Sequence, residues 1–346
     1  LYSCRLYRQL NEQAEQLNSQ QKSLNLATII EPTGALDLLL KANIDSIQIA
    51  DYPDDLAITL TSIEAEQLTG LTNQDLAENL YLPQSGLVNP QALKEVILKH
   101  PLIHFMSLQV TEIGEKEGYV SVCGYQGDRN DQHSKDKQIT IQADNVVICA
   151  AYESHQLDKR IFDCRKIRGQ LSWFSPTAEQ LKKLPKLPLK YGGYCTLFTE
   201  QSSNEHSSLS PIEESPLQQG QHQFLLGASF VRNDISTDIR AEEHQVSRDK
   251  LIKAIPELDS IIPIETRNWQ ARAGVRTQTP DYHPMVGQLS DSKRLWVMSA
   301  MGAKGYAFAP ICAEALTDKM LGVFAPLSNE MLSKLSPNRT RLKTPL

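Results

Sequence analysis

Ala271-Arg-Ala-Gly-Val-Arg276 followed by Thr279-Pro-Asp-Tyr-His-Pro-Met-Val-Gly287 is the stretch that decides the reading of this 346-residue chain. A short apolar run, Leu295-Trp-Val-Met298, leads from it to Gly302-Ala-Lys-Gly305 and a helix-like segment. This is the pattern of a strand, a glycine turn and a helix N-terminus. Such a turn leaves backbone N–H groups unpaired and aimed at one spot, where an electron-rich ligand atom can sit. Arg272 and Arg276 flank Gly274 just upstream. Residue type and spacing therefore point to a cofactor and a substrate anion meeting here.

Composition narrows the class. Forty per cent hydrophobic residues is enough for a sizeable core. No apolar run reaches about 18 residues, so no membrane-spanning helix is predicted. The first twenty residues hold no apolar stretch of the signal-peptide kind. The six cysteines are scattered without a Cys-x-x-Cys, against both a zinc site and a disulfide framework. No metal site is expected, and the cytoplasm is the default compartment. Cys149 and Cys312 lie in apolar runs and read as small core residues. A net charge of −6 disfavours nonspecific nucleic-acid binding, which needs Lys and Arg against phosphates. Two local basic groups remain: Lys182, Lys183, Lys186 and Lys190, and the tail with Arg339, Arg341 and Lys343. The plainer reading of these is a solvated lysine face and a ragged terminus.

Outward from the motif, residues 1–20 have the apolar spacing of an amphipathic helix. Asn89-Pro90 starts another, with Asn as cap and Pro in the first turn. Residues 102–110 read as a strand, and 119–123 and 139–141 as a strand pair joined by the charged loop 126–138. The continuous apolar run Asn145–Ala150 predicts a strand buried on both faces of a parallel sheet. Residues 170–174, 191–198, 223–230 and 266–273 alternate more, as in an antiparallel sheet with one face toward a site. Residues 200–221 are too polar to bury much area and read as an insertion. Helices are predicted over 242–254 and 305–320, the latter with Phe308, Cys312, Leu316 and Met320 on one core face.

The order of Gly274, Arg276, Asp281, Pro284 and Gly287, with Gly302 and Gly305 on the turn, resembles the closing motif of the D-amino-acid-oxidase-like flavoproteins. Within them the chain most resembles the flavin domain of the bifunctional MnmC family, which makes methylaminomethyl-2-thiouridine at the tRNA wobble position. Ala271–Arg276, His283–Gly287, Ala309–Glu314 and Leu335–Arg339 carry that likeness, with weaker matches at Leu82–Gly86 and Leu226–Ser229. The resemblance implies a mixed α/β flavoprotein fold, a Rossmann-type FAD domain interleaved with an antiparallel-sheet substrate domain. The FAD domain would comprise 1–42, 86–150 and 276–335, the substrate domain 43–85 and 151–275, and 336–346 a basic tail. FAD is the implied cofactor. Ala150, Gly274, Gly287, Gly302, Ala303, Lys304, Gly305 and Tyr306 are its candidate contacts. Arg276 is the implied catalytic residue, since a guanidinium holds a carboxylate in a fixed plane. The plainer alternative pairs Arg276 with Asp281 or another core acid. Gly169-Gln170 after Arg168 resembles the Arg-Gly-Gln that opens the substrate sheet in related oxidases.

The family's Gly-x-Gly-x-x-Gly phosphate loop occurs nowhere in the sequence. The expectation is therefore an N-terminally truncated fragment that lacks the first βαβ unit and the SAM-dependent methyltransferase domain of the bifunctional enzymes. The implied reaction removes the carboxymethyl group of carboxymethylaminomethyl-(2-thio)uridine in tRNA as glyoxylate. Two rivals stand beside it: oxidation of free glycine, sarcosine or D-amino acids, and an inactive fragment.

Overall fold

A long strand, Arg165–Phe174, organises the molecule. In this computed structural model, which describes residues 2–20, 26–38, 53–72, 79–126, 138–199 and 222–343, it pairs on one side with the whole of Gln270–Gln278. On the other side it pairs with His222–Gly227 and then Val231–Arg232. Tyr194–Thr199 extends the sheet antiparallel to His222–Gly227, and the short strands Leu189–Lys190, Ala35–Asp37, Leu80–Leu82 and Ile58–Thr59 continue it. The predicted strand 266–273 thus starts later and runs on through Arg276. Helix Ala241–Ala254 covers one face, burying Glu243, His244, Ser247, Arg248 and Leu251. A core of Leu36, Phe174, Leu189, Phe224, Leu226, Leu251 and Leu258 packs on this helix-covered face.

A second, smaller sheet sets Leu295–Ser299 between Met285–Gln288, antiparallel, and Val146–Ile148, parallel. Helix Gly305–Leu321 lies against it, with Cys312 and Leu316 buried beside Val286, Trp296 and Leu335 and with Phe308 and Met320 packed onto them. The period-four stripe is therefore a core face. Pro310 lies inside this helix, at its sixth residue, and so offers no N–H to the Tyr306 carbonyl. Helix Tyr2–Gln20 docks on the start of the same helix. Ser3 Oγ donates to the Ala307 carbonyl at 2.6 Å and Tyr7 Oη to the Tyr306 carbonyl at 2.7 Å. Burial pushes the Tyr7 phenol up to about 12.

The Asn89 side chain caps helix Pro90–Leu98, as its sequence requires. A three-stranded meander follows: Leu108–Glu115, Val120–Gln126 and Gln138–Ala143. Three expectations are corrected here. Residues 102–107 form no strand, and Leu102, Ile103, Phe105 and Met106 are exposed. No described strand lies alongside to take up their backbone groups, so apolarity alone does not make them a strand. Val146–Ile148 is parallel but lies at a sheet edge among the described residues, so Val147 is 36% exposed rather than buried on both faces. Cys149 beyond it is exposed, whereas Cys312 is buried as expected. Most of the loop 126–138, and all of 200–221, lie outside the described residues.

Candidate functional site

Register decides what shares a face. Ile167 pairs with Arg276, Gly169 with Gly274 and Leu171 with Arg272, so these six side-chain positions point the same way. Tyr194 pairs with Gly227 two strands over, and a Cβ added at Gly227 would meet both Leu171 and Tyr194. Tyr194 therefore belongs to the same face. The middle of this face is bare backbone. A Cβ on Gly274 would meet nothing within 4 Å. One on Gly169 would lie 1.7 Å from Arg276 Nη2, so the guanidinium rests directly on the Gly169 backbone.

Arg276 is half-buried and donates from Nη2 to the Ser229 carbonyl at 3.3 Å. Burial lowers its pKa, opposed only by its neighbour Tyr194. No carboxylate among the described residues offsets that loss of hydration. The plainer pairing with Asp281 fails, because Asp281 is taken. Arg339 Nε and Nη2 hold its two oxygens at 2.7 and 2.8 Å. Those bonds, against some desolvation, hold the Asp281 carboxyl well below the usual range. Arg339 also donates to the His283 and Pro284 carbonyls at 2.9 and 3.0 Å. Residues 336–339 thus latch onto the motif, whereas Arg341 and Lys343 are exposed.

The glycine turn reaches this face from the other sheet. Gly302 is left-handed at φ 57° and donates its N–H to the Thr277 carbonyl at 3.0 Å, next to Arg276. Ala303 and Lys304 are exposed, and no side chain caps the first turn of helix Gly305–Leu321. Lys304 Nζ lies 6.0 Å over the Phe308 ring. Burial raises the Tyr306 phenol and the Arg272 charge opposes it, which sets Arg272 beside the turn. Ser299 Oγ donates to the Ala151 carbonyl at 3.5 Å, which brings the end of the parallel strand at Ala150 to the same place. The register and these contacts therefore bring Arg272, Arg276 and Gly274 of the large sheet near the turn Gly302–Tyr306, with Ala150 close by. Gly287 is not among them. It sits in the small sheet at φ 147°, where a Cβ would press on Pro337 of the tail at 3.0 Å.

This group of residues suits the ring end of FAD. The donor set is an uncapped helix N-terminus, which favours negative charge, and the floor at Gly274 is free of side chains. Nothing in the sequence supplies the glycine-rich cradle for its pyrophosphate. Among the described residues no cluster of His, Cys, Asp and Glu has metal-site form, and no helix is long and apolar enough to cross a membrane. Of the lysine group, Lys182 pairs with Glu179 and Lys190 with Asp37 at the surface.

Sequence reasoning missed Tyr194, Ser229 and Glu243. Gly192-Gly193 before Tyr194 and the glycine of Leu226-Gly-Ala-Ser229 were the available signals, since both let a side chain or the backbone come close. Nothing local marks Glu243, whose role depends on a helix packing across the sheet.

Comparison with known proteins gives the family and the fold. The profile of the DAO family, FAD dependent oxidoreductase, matches residues 1–319. The chain is 57% identical over 342 residues to the tRNA 5-methylaminomethyl-2-thiouridine biosynthesis bifunctional protein MnmC of Psychrobacter cryohalolentis, covering 99% of this chain and 47% of that protein. It is 30% identical over 303 residues to the same-named protein of Acinetobacter baylyi, covering 87% of this chain and 42% of that protein. The chain thus spans about half the length of the curated relatives it matches. In fold it is similar to glycine oxidase from Geobacillus kaustophilus, with a TM-score of 0.68 at 16% identity, covering 97% of this chain and 81% of that one. L-proline dehydrogenase from P. horikoshii gives 0.64 at 13%, covering 97% and 82%. The profile match spans most of the chain, the solved structures share its mixed α/β fold, and the chain belongs to the DAO family of FAD-dependent oxidoreductases.

Proposed function

We propose that this chain carries the oxidative step of tRNA wobble-uridine modification, acting on carboxymethylaminomethyl-(2-thio)uridine to give aminomethyl-(2-thio)uridine and glyoxylate. The observation that carries this reading is Arg276, a half-buried cation with no carboxylate partner among the described residues, lying beside an uncapped helix N-terminus. A carboxymethylamino group supplies the missing anion. The relative at 57% identity supports tRNA as the substrate.

FAD, when bound, would supply a two-electron acceptor for the hydride lost from the carboxymethyl methylene C–H, while the N–H proton of the amine leaves to solvent and the C–N bond becomes C=N. The chain's own residues do the rest. Arg276 offers a two-pronged contact to the carboxylate and fixes its plane. Tyr194, on the same face, offers its phenol beside that site. Burial raises the Tyr194 pKa against the pull of Arg276, so the phenol stays a donor at neutral pH. Arg272 adds positive charge near the turn. The first-turn N–H groups from Gly305 stabilise negative charge next to them. Water then splits the substrate imine into amine and glyoxylate. No general base is required if the amine binds neutral. The setting would be cytoplasmic, with a SAM-dependent methyltransferase domain as covalent partner; the word bifunctional in the relatives' names supports a second activity in their longer chains.

The test is glyoxylate release. FAD-loaded protein given tRNA bearing carboxymethylaminomethyl-uridine is expected to yield glyoxylate in step with loss of the modified nucleoside. No product from protein that retains its flavin band would sink the proposal. A second reading, oxidation of a free amino acid, is favoured by the same Arg276 and Tyr194, which suit any amino carboxylate. Dye reduction with glycine or sarcosine, but not with the modified tRNA, would select it.

A further inference from the structure

A polar layer lies behind Arg276, on the opposite face of the sheet. Side chains alternate along Arg165–Phe174, so Gly169 faces the site while Arg168 and Gln170 face helix Ala241–Ala254. Arg168 is fully buried. Its Nε donates to Glu243 Oε1 at 2.8 Å, its Nη2 to Gln170 Oε1 at 3.0 Å, and its Nη groups to the Ser236 and Asp238 carbonyls at 2.6 Å. The other oxygen of Glu243 accepts from Ser229 Oγ. Ser229 is then held from three sides. Its N–H donates to the Gln170 carbonyl at 3.1 Å, and its Oγ accepts from the Gln170 N–H at 2.8 Å while donating to Glu243. What remains is its carbonyl, and that takes Arg276 Nη2.

We propose that Glu243 is a positioning residue for Arg276, acting through Ser229, so that selectivity for a carboxylate-bearing substrate depends on a carboxylate on the far side of the sheet. The inference rests on the reading of Arg276 as the carboxylate-binding residue. An arginine has many rotamers, and a fork that must meet a carboxylate in plane loses affinity when it has to be ordered at the moment of binding. Here the ordering is done in advance. The Gly169 backbone sets the height of the guanidinium, and the Ser229 carbonyl, pinned by Gln170 and Glu243, sets its direction. Arg168 and Gln170 flank Gly169 in sequence, so one triplet holds both the floor and the relay.

The experiment is calorimetric binding of two probes to FAD-loaded protein: the nucleoside carboxymethylaminomethyl-uridine, and its carboxamide, which lacks the charge. The ratio of the two affinities measures carboxylate preference without any turnover. Arg276→Leu is expected to remove the preference. Ser229→Ala and Glu243→Gln are each expected to cut it about three- to tenfold by weakening the carboxylate probe alone, with flavin retention and carboxamide affinity unchanged. Ser229→Ala added to Arg276→Leu is expected to cost nothing more. If Glu243→Gln fails to fold, Ser229→Ala decides, because it leaves the Arg168–Glu243 ion pair in place. Wild-type preference in Ser229→Ala, or equal weakening of both probes, overturns the relay while the reading of Arg276 stands. An unchanged preference in Arg276→Leu removes that reading, and the relay with it.

Discussion

Asp281 and Arg339 meet through two parallel hydrogen bonds, and both side chains are nearly buried, at 17% and 8% exposure. The folded carboxyl titrates well below its unfolded value of about 3.9. Stability from this pair is therefore complete above the unfolded pKa and drains away as pH falls through about 4 toward the folded one. Asp281→Asn is expected to be less stable at neutral pH but flatter in acid than the wild type, by urea melts across pH 3–7. Arg339→Ala leaves an unpaired buried acid and is expected to cost about 3–5 kcal/mol. An Arg339→Ala melt that matches the wild type would mean that the tail does not hold the motif. At this scale the sequence was half legible. The motif named Asp281 and Arg276 as partners in its plainer reading, and a partner 58 positions away won instead because its fork also takes the 283 and 284 carbonyls. Long-range partners of this kind leave no local trace.

Elements with a local cause were readable. Asn89 caps a helix, Pro90 opens it, and the period-four stripe from Phe308 to Met320 meets a core. The alternating strands came out antiparallel with their glycines opposed, since alternation reports a face directly. Continuous apolar runs were read unevenly: Leu295–Met298 became the buried central strand of the small sheet, but two others stayed exposed. Such a run says only that burial is favourable, and burial requires a neighbour. Leu102, Ile103, Phe105 and Met106 have none among the described residues and stand exposed, as does Val147 on an open sheet edge. Contiguous exposed apolar surface and an unpaired edge promote self-association. Phe105→Lys is expected to lower light scattering in concentrated solution without lowering the melting midpoint. A lower midpoint would show that Phe105 is packed after all.

Two sheets meet where the Gly302 N–H reaches the Thr277 carbonyl, with Arg272, Arg276 and Tyr194 on the large sheet and the turn from Gly302 following the small one. A ligand that touches both ties them together and binds only the folded state. FAD is therefore expected to raise the melting midpoint by several degrees, with about 2.7 kcal/mol gained at a hundredfold excess over Kd. An unchanged midpoint with no retained flavin band would mean that the ring end alone does not hold the cofactor and that the pyrophosphate must be cradled elsewhere. That assembly also has an order in time. A ribosome makes residue 281 long before residue 339, so a nascent chain carries the substrate-facing motif with its acid still unanswered. Only when the last turns emerge can it lock, and a chain interrupted by a stop codon before that point would present an unfinished site to the cell's quality-control proteases instead of to a ligand.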